Sequence, residues 1–429
     1  MYEWQERLFF YSVVAVIFTT LFSWLNINSF CIILMVATRF LIRPIPLLRT
    51  VFPDTLFLSF LGYCVIGAAG VLYARNISNE VNNVAREATL VALALAFCVK
   101  GSFSNARYRK LLDWYYLLLV AASVYCLAVA VRNYRISGDS SVFFYHLLTR
   151  PISQNAVFYS VYIVFGLLFL LAPGAEPFSG RLAPMARKVL RYGLAAFYLG
   201  MIVLLNSKLI LVVGLLILLN ALFRKYSFRT NLRPLLLFGS AVLVIILLLG
   251  LTDNPVSRRY RELAAGDLAV IRQEKFNPGM YFNALQLRLL EWRFADEILQ
   301  EHNAWVFGVS PGDSQDLLNE KYVASNMYIG NPAEGPHRKV RGFIGYNFHN
   351  QYLETLVRSG VIGLASLITI FVLLFAAARR AGTREGWFVV VTLAVFFIPE
   401  APLTMQHGVF LFGFFPLLLF YGSKNPSNP

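Results

Sequence analysis

Long apolar runs separated by short polar breaks fill the first 251 residues and return after residue 359. A bilayer core about 30 Å thick needs roughly 20 apolar residues per helix, with about 17 as the lower limit. This window finds about twelve candidate membrane helices. They centre on residues 8–24, 26–42, 55–74, 86–99, 112–131, 155–173, 189–206, 208–223, 234–251, 360–378, 386–400 and 408–422. The pattern predicts an all-α polytopic membrane protein.

The composition agrees with this pattern. Of the 429 residues, 58% are hydrophobic and only 14% are charged, whereas soluble domains have about a quarter charged residues. These values exclude soluble globular, disordered, fibrous and coiled-coil proteins. The four cysteines lie inside apolar runs, where each behaves as a small hydrophobe, and their spacing indicates neither a disulfide framework nor a zinc site. The first apolar run lacks a small-residue cleavage site, so we expect a retained helix.

The distribution of Lys and Arg predicts the orientation of the chain. Short loops after the even-numbered predicted helices hold many more Lys and Arg residues than those after the odd-numbered helices, and such an excess marks the cytoplasmic side. Both termini are therefore expected in the cytoplasm. The net charge of +15 follows from this topology, so we do not predict binding to nucleic acid.

One segment departs from the alternation. Residues 252–350 are polar and follow the ninth predicted helix, on the side opposite to the cytoplasm. The sequence thus predicts three parts: nine membrane helices in 1–251, a mostly helical outer domain in 252–350, and three membrane helices in 351–429. The outer segment has no counterpart in the first half of the chain, which argues against a transporter built from repeats.

The outer segment contains a predicted helix from Asn283 to about Glu301. Asn283 and Gln286 have the spacing of a capping box at its start. Arg288 is expected either in a functional site or in an ion pair with Glu291 or Asp296 on a solvated face. The helical spacing predicts an apolar stripe formed by Leu285, Leu289, Trp292 and Leu299.

Two further motifs follow. A Gly/Pro-rich turn contains Gly308 and Gly312 and either presents backbone amides to an anion or is simply a turn. The segment from Tyr346 to Gly363 would place His349, Leu353, Leu356, Gly360 and Gly363 on one face of a continuous helix. The glycines would admit another helix, and His349 with Asn350 would lie at the positive end of the helix dipole, which favours anions.

The pattern His349-Asn350, nine residues, then Gly360-Val-Ile-Gly363 resembles the signature of the bacterial O-antigen ligases. Their superfamily includes some O-antigen polymerases and protein O-oligosaccharyltransferases. Other parts agree in order, namely Ser207-Lys208 at the start of a helix, Arg288-x-x-x-Trp292 and the Gly308 to Gly312 turn. The resemblance covers about residues 205–365 at the level of motifs and the rest at the level of topology.

The chain departs from the family pattern at two places. Lys208 stands where the family commonly has Arg, and Lys offers a point charge instead of a bidentate fork for phosphate. Arg288 is followed by Trp292, whereas the family more often shows Arg-x-x-x-Leu, so Arg259-x-x-x-Leu263 is a competing match.

The resemblance implies a glycosyltransferase of lipopolysaccharide biosynthesis in the bacterial inner membrane, with its site facing the periplasm. The donor would be a glycan on undecaprenyl diphosphate and the acceptor a sugar hydroxyl of lipid A–core, both reached from the surrounding membrane lipids. His349 is then the candidate base, and Glu354 is either an alternative base or an ion-paired carboxylate. Candidate contacts to the donor, above all its diphosphate, are Lys208, Ser207, Arg288, Arg259, Arg341, Asn350 and Trp292.

His337 belongs to a basic run that either attracts the phosphorylated substrates or is a solvated charge run. The outer segment has no Asp-x-Asp pair, so we expect transfer without metal or cofactor, and with inversion because no nucleophilic carboxylate pair is evident. A polysaccharide polymerase of the same superfamily is the alternative. A lipid-linked glycan flippase or a transporter is less favoured, because the apolar runs are almost free of charge.

Overall fold

The computed structural model describes residues 3–41, 44–98, 102–178, 182–225, 267–330 and 342–422. Within these ranges the regular structure is helical and no strand is present. The predicted ninth membrane helix and three candidate site residues, Arg259, His337 and Arg341, lie outside the described residues. The count of about twelve membrane helices and the position of the outer domain therefore stay predictions.

Helices lie wherever the apolar pattern places a membrane helix in the described ranges. Before residue 226 they are α1 Glu3–Leu21, α2 Leu25–Phe40, α3 Pro44–Val51, α4 Thr55–Ala68, α5 Ile77–Phe97, α6 Asn105–Ser137, α7 Tyr145–Thr149, α8 Ala156–Leu171, α9 Pro184–Leu205 and α10 Lys208–Lys225. After residue 266 they are α11 Ala284–Glu301, α12 Ser314–Ala324, α13 Gln351–Ala381, α14 Arg384–Phe396 and α15 Gln406–Tyr421.

Several of these helices are apolar and long enough to cross a bilayer. In the described part of the chain, four helices meet this standard by length and composition: Thr55–Leu72, α6, α9 and α13. A bent pair, Tyr145–Ile152 followed by α8 at 82°, adds a fifth candidate, and α2 and α15 are shorter apolar helices. The chain is thus an integral membrane protein with an all-helical fold.

Local sequence explains where α9 ends and α10 begins. Asn206 adopts a left-handed conformation with φ 47° and ends α9, a conformation that Asn tolerates better than most residues. Ser207 follows, and α10 starts at Lys208. The boundary between the predicted membrane helices 189–206 and 208–223, where Asn206, Ser207 and Lys208 interrupt the apolar run, is confirmed.

Helices α10 and α14 pack against each other. This contact indicates where Lys208, at the start of α10, lies relative to the end of α14. Arg224, at the last turn of α10, forms an ion pair of 2.7 Å with Glu385 at the first turn of α14. Lys208 therefore lies toward the other end of this pair, where α14 ends at Phe396.

The buried apolar residues form two clusters. The larger one runs through the helical bundle from Phe9 to Tyr421. The smaller one is built from residues 270–357 and includes Phe294, Tyr322 and Phe348. We call residues 267–330 the cap, because this second cluster packs α11 and α12 over the start of α13.

Helix α13 is folded back on itself at Gly360. Gly360 has φ 63° and ψ −165°, which is not helical, and the rings of Tyr352 and Phe371 lie with centroids 6.1 Å apart. In a straight helix these two residues would be about 28 Å apart. We call residues 351–359 the arm and residues 361–381 the stem. The continuous helical face predicted for residues 349–363 is therefore wrong, and His349 precedes the N-cap residue Asn350.

A loop of the cap is inserted at this reversal. The amides of Val309 and Ser310 donate to the carbonyls of Val357 and Arg358, and the amide of Val361 donates to Trp305. The loop thus takes over backbone hydrogen bonds that the reversal interrupts. A side chain at Gly360 would collide with Val306, and one at Gly308 with Arg358. Gly308 and Gly360 admit this loop at the reversal, and Gly363 lies against Ser359 of the arm. The second helix expected at Gly360 is thus replaced by a loop.

The amides of the glycine turn are used by the protein itself. The amide of Gly312 donates to the carboxylate of Glu80 in α5. The carboxylate of Asp313 accepts hydrogen bonds from the amides of Arg75 and Asn76. The amide of Gly312 therefore does bind an anion, but that anion is the Glu80 carboxylate of the protein itself.

Candidate active site

His349 is held in a constrained backbone conformation just before the arm. Its φ is 45°, a left-handed value that costs energy for a residue with a Cβ. Its amide donates to the side-chain oxygen of Asn347 at 2.9 Å, and the Asn347 amide group donates to Thr404 at 3.1 Å. Asn350 caps the arm by accepting from the amide of Leu353. The neighbouring asparagines thus fix the position of the imidazole.

The surroundings of the imidazole determine its tautomer. Nδ1 lies 2.9 Å from Oε2 of Glu291 and 3.1 Å from the carbonyl oxygen of Asn347. Because both oxygens are acceptors, Nδ1 carries the proton in the neutral ring and Nε2 keeps its lone pair. No hydrogen-bond partner of Nε2 is found in the described ranges, and a quarter of the side chain is exposed. Nε2 is the atom available to a substrate.

Glu291 is fully buried beneath His349. Its second oxygen accepts a hydrogen bond of 3.1 Å from the hydroxyl of Tyr322 in α12. Burial raises the pKa of Glu291, while the hydrogen bond and charge of His349 act against that rise. Burial and the Glu291 carboxylate together raise the pKa of Tyr322 above its ordinary range, so the tyrosine remains a donor.

Burial lowers the pKa of His349, but the hydrogen bond and the charge of Glu291 outweigh it, so the net pKa lies above the ordinary 6.5. The imidazolium is therefore stabilised, and a neutral ring, able to accept a proton, forms on the alkaline side of that value. A pair of this kind titrates as a unit.

Arg288 lies beside this pair and is anchored by the loop after α14. Its Nη2 is 2.8 Å from Oε1 of Glu400, and its Nε donates to the carbonyl of Pro399 at 2.9 Å. Arg288 and Glu400 both act electrostatically on His349. The expected pairing with Glu291 or Asp296 is replaced by Glu400.

The buried face of α11 differs from the predicted stripe. Leu290, Glu291 and Phe294 are buried, whereas Leu285 is exposed. Arg288, Glu291 and Trp292 face the start of the arm, and Nε1 of Trp292 donates to the carbonyl of Phe348 at 3.1 Å. The prediction was right for Leu299, which is buried, and wrong for Leu285, because it aligned apolar residues only, while this helix also packs polar residues against His349.

Glu354 belongs to a separate buried cluster. Its Oε1 lies 2.7 Å from Nε of Arg358, and Arg358 lies 3.7 Å from Glu87 of α5. Its other oxygen accepts a hydrogen bond of 3.4 Å from the amide of Phe348. We call Glu87, Glu354 and Arg358 the arm cluster. Of the two expectations for Glu354, the geometry supports the ion-paired carboxylate.

The structure brings Arg288, Trp292 and His349 together and places Glu354 next to them through Phe348. Ser207 is buried, and the half-buried Lys208 starts α10 toward the same end of the bundle as Glu400. In the described part of the chain, no group of three or more His, Cys, Asp or Glu side chains is arranged to hold a metal ion.

Sequence patterns did not reveal Glu400 or two members of the arm cluster, Glu87 and Arg358. Glu291 was named only as a partner for Arg288. A carboxylate between the apolar Leu290 and Phe294 is the one local signal for Glu291. Glu87 gives no such signal, because it follows Arg86 in the middle of α5, at the end of its polar half. Glu400 has no local signal, because its partner is distant in sequence.

The comparison with protein families finds one match. Residues 193–368 match the family model described as O-antigen ligase. This segment contains Lys208, Arg288, His349, Glu354 and Gly360. The comparison with curated proteins gives no match. The match over residues 193–368 supports a member of the O-antigen ligase/polymerase superfamily.

Proposed function

We propose that this protein is an O-antigen ligase, which transfers a glycan from undecaprenyl diphosphate to a hydroxyl of lipid A–core at the outer face of the inner membrane. The family match supports a membrane glycosyltransferase of this superfamily. The observation that carries the catalytic proposal is the His349 imidazole, whose Nδ1 is held by Glu291 and Asn347 while Nε2 remains open.

The proposed step is a single displacement. Nε2 of His349 takes the proton of the acceptor hydroxyl, and the oxygen forms a bond to the anomeric carbon of the donor glycan. The bond from that carbon to the diphosphate oxygen breaks, and undecaprenyl diphosphate leaves with its electron pair. Attack opposite the leaving group inverts the anomeric configuration. A positioned general base of this kind contributes about 10²–10⁴ in rate.

Cationic side chains would stabilise the diphosphate leaving group. Arg288 is oriented by Glu400 and the Pro399 carbonyl, so its guanidinium is already ordered before the reaction begins. Lys208 joins it as a point charge, and Arg259 or Arg341 stay candidates for the same role. Preorganised donors of this type are worth about 3–4 kcal/mol each. We propose that these charges act without a divalent cation.

Glu354 is assigned a positioning role in this scheme. It is buried, paired with Arg358 and hydrogen-bonded to the amide of Phe348, which directly precedes His349. The carboxylate therefore supports the backbone that presents the imidazole, and His349 is the single base.

A reconstituted reaction tests the proposal. The purified protein in nanodiscs would receive a glycan on undecaprenyl diphosphate and lipid A–core as acceptor. We expect His349→Ala to lower transfer by about 10²–10⁴, whereas His302→Ala, which removes an exposed histidine of the cap, keeps it. Full activity of correctly inserted His349→Ala would remove the proposed base. Retention of the anomeric configuration, measured by NMR, would contradict the single displacement.

Deletion of the gene distinguishes the ligase from a polymerase. A lipopolysaccharide gel that lacks all long-chain glycan, while polymer accumulates on the lipid carrier, supports the ligase. Loss of polymer with a single repeat still attached to lipid A–core would assign the polymerase reaction instead.

A further inference from the structure

An exposed apolar patch lies on the loop of the cap that enters the α13 reversal. Trp305, Val306 and Phe307 are consecutive and all exposed, and the side chain of Phe307 is 65% accessible. Leu72, at the end of α4, is 88% accessible, and the neighbouring Tyr73 donates its hydroxyl proton to the Phe307 carbonyl at 2.8 Å. We call Leu72 with residues 305–307 the docking patch.

Exposure of these side chains to water would be unfavourable. Burying a large apolar side chain is worth about 1.5–3 kcal/mol relative to water, and contiguous apolar patches on proteins commonly mark interaction sites. In the described part of the chain nothing covers the docking patch. Its position relative to the bilayer therefore decides whether lipid or another molecule covers it.

The stem connects the docking patch to the lipid-facing surface. The carbonyl of Trp305 accepts a hydrogen bond of 2.8 Å from the amide of Val361, the first residue of the stem. Val361, Ile368 and Val372 are exposed at helical spacing and form an apolar stripe down one side of this membrane helix. The docking patch thus extends that stripe at its outer end.

From this continuity we propose that the docking patch inserts into the outer leaflet of the bilayer, with phospholipid acyl chains as its partner. Lipid fits better than a protein partner. The stripe of exposed apolar residues on the stem continues from the patch, and on a membrane helix such a stripe faces acyl chains. Trp305 and Tyr73 are residues that favour the membrane interface. Amphipathic segments of this kind reach about 5–10 Å into the headgroup and acyl boundary.

Insertion of the docking patch would set the height of the cap above the bilayer. The same loop exchanges backbone hydrogen bonds with Val357, Arg358 and Val361. A lipid anchor at residues 305–307 is therefore rigidly linked to the reversal of α13. This inference concerns the membrane contact alone and does not depend on the reaction proposed above.

Fluorescence quenching by brominated phospholipids tests the insertion. A single cysteine would replace Phe307, or Val306 in a second variant, and carry an environment-sensitive fluorophore, in a background where Cys31, Cys64, Cys98 and Cys126 are replaced. Gln300→Cys on the exposed face of α11 is the matched control. The purified protein is reconstituted in nanodiscs, so no other cellular protein can cover the docking patch.

We expect the fluorophore at position 307 or 306 to be quenched at least several-fold more than at 300, with blue-shifted emission. The inference is overturned if both patch positions show the water-like emission and weak quenching of the control. It is equally overturned if their emission is blue-shifted but bromine does not quench it, because the patch would then be covered by protein.

Discussion

The two ends of the arm carry two clusters of charged residues with different chemistry. At its start, His349 pairs with the buried Glu291 but keeps one nitrogen open and a quarter of its side chain exposed. Within it, Arg358 lies between Glu354 and Glu87 with all three side chains at least 92% buried. A histidine can lose its proton near neutral pH, whereas arginine stays charged. The first cluster is therefore suited to proton transfer and the second to holding structure.

This difference teaches that burial and pairing alone do not identify a catalytic carboxylate. Glu291 and Glu354 are both buried and both contact a basic residue. What separates them is the partner, because only His349 offers an unoccupied acceptor atom to a substrate. The following predictions test the comparison, from the largest expected effect to the smallest.

Removal of the arginine should damage the arm cluster most. In Arg358→Ala, Glu87 and Glu354 would stay buried without their cation, and breaking such a pair costs about 3–5 kcal/mol. We expect a strong loss of folded protein, measured by thermal unfolding in detergent. Arg7→Ala, which removes an exposed arginine paired with Glu3, is the control with a small effect.

A triple variant sharpens this test. Glu87→Gln with Glu354→Gln and Arg358→Met removes all charges together, so most of the lost stability should return. If the triple variant is stable but has no transferase activity at any pH, the arm cluster takes part in chemistry and the proposed contrast is wrong.

The reversal of α13 gives the next effect. Gly360 has a conformation that residues with a Cβ avoid, at a cost of about 1–3 kcal/mol, and a Cβ there would also meet Val306. Gly360→Ala should lower the unfolding temperature. Gly200→Ala, in open space within α9, should leave it unchanged or raise it. Equal unfolding temperatures for the two variants would contradict the reversal.

Glu291→Gln sharpens the role of the first cluster. The Glu291 carboxylate raises the pKa of His349, while burial lowers it. Because the neutral imidazole is the reactive form, wild-type activity should rise with pH above the ordinary 6.5, and Glu291→Gln should move that rise to lower pH. We expect a loss of maximal rate of about tenfold, less than the 10²–10⁴ expected when the base itself is removed. The pH profile of transfer measures both.

A matched variant separates this charge effect from the loss of a hydrogen bond. Tyr322→Phe removes the other hydrogen-bond donor to Glu291 and leaves the carboxylate charge. The activity of this variant should therefore still rise with pH above 6.5, as in the wild type. A profile of Glu291→Gln that coincides with the wild type would show that the carboxylate does not tune His349.

The smallest effect is expected from metal removal. Fixed cations are proposed to stabilise the leaving diphosphate, so a chelator should leave transfer unchanged. Loss of activity that added Mg²⁺ restores would show that a divalent ion does this work and would lower the importance of Arg288.

Features encoded by local sequence could be predicted. The apolar runs gave the positions of the helices, Asn206 to Lys208 gave the break before α10, and the capping box of Asn283 and Gln286 is present in the structure. The structure also brings together Arg288, Trp292 and His349, which the resemblance marked as candidates. The helix predictions succeeded because neighbouring residues determine where helices start and end.

Features that depend on tertiary contacts could not be predicted. The reversal at Gly360 leaves the apolar periodicity intact, so the pattern extends through it as if the helix were continuous. Glu400 meets Arg288 only through the fold, more than one hundred residues later. The face of α11 was misassigned because its partner surface, the start of the arm, is polar.

The segments around Gly308 and Gly360 pack closely together. This packing limits which parts can be exchanged between related proteins. Each glycine lies against the backbone of the other segment, so neither segment can change shape alone. A chimera that takes the cap from one homologue and α13 from another would join two surfaces that never fitted. A crossover site within the stem would take both the cap loop and the reversal at Gly360 from one parent.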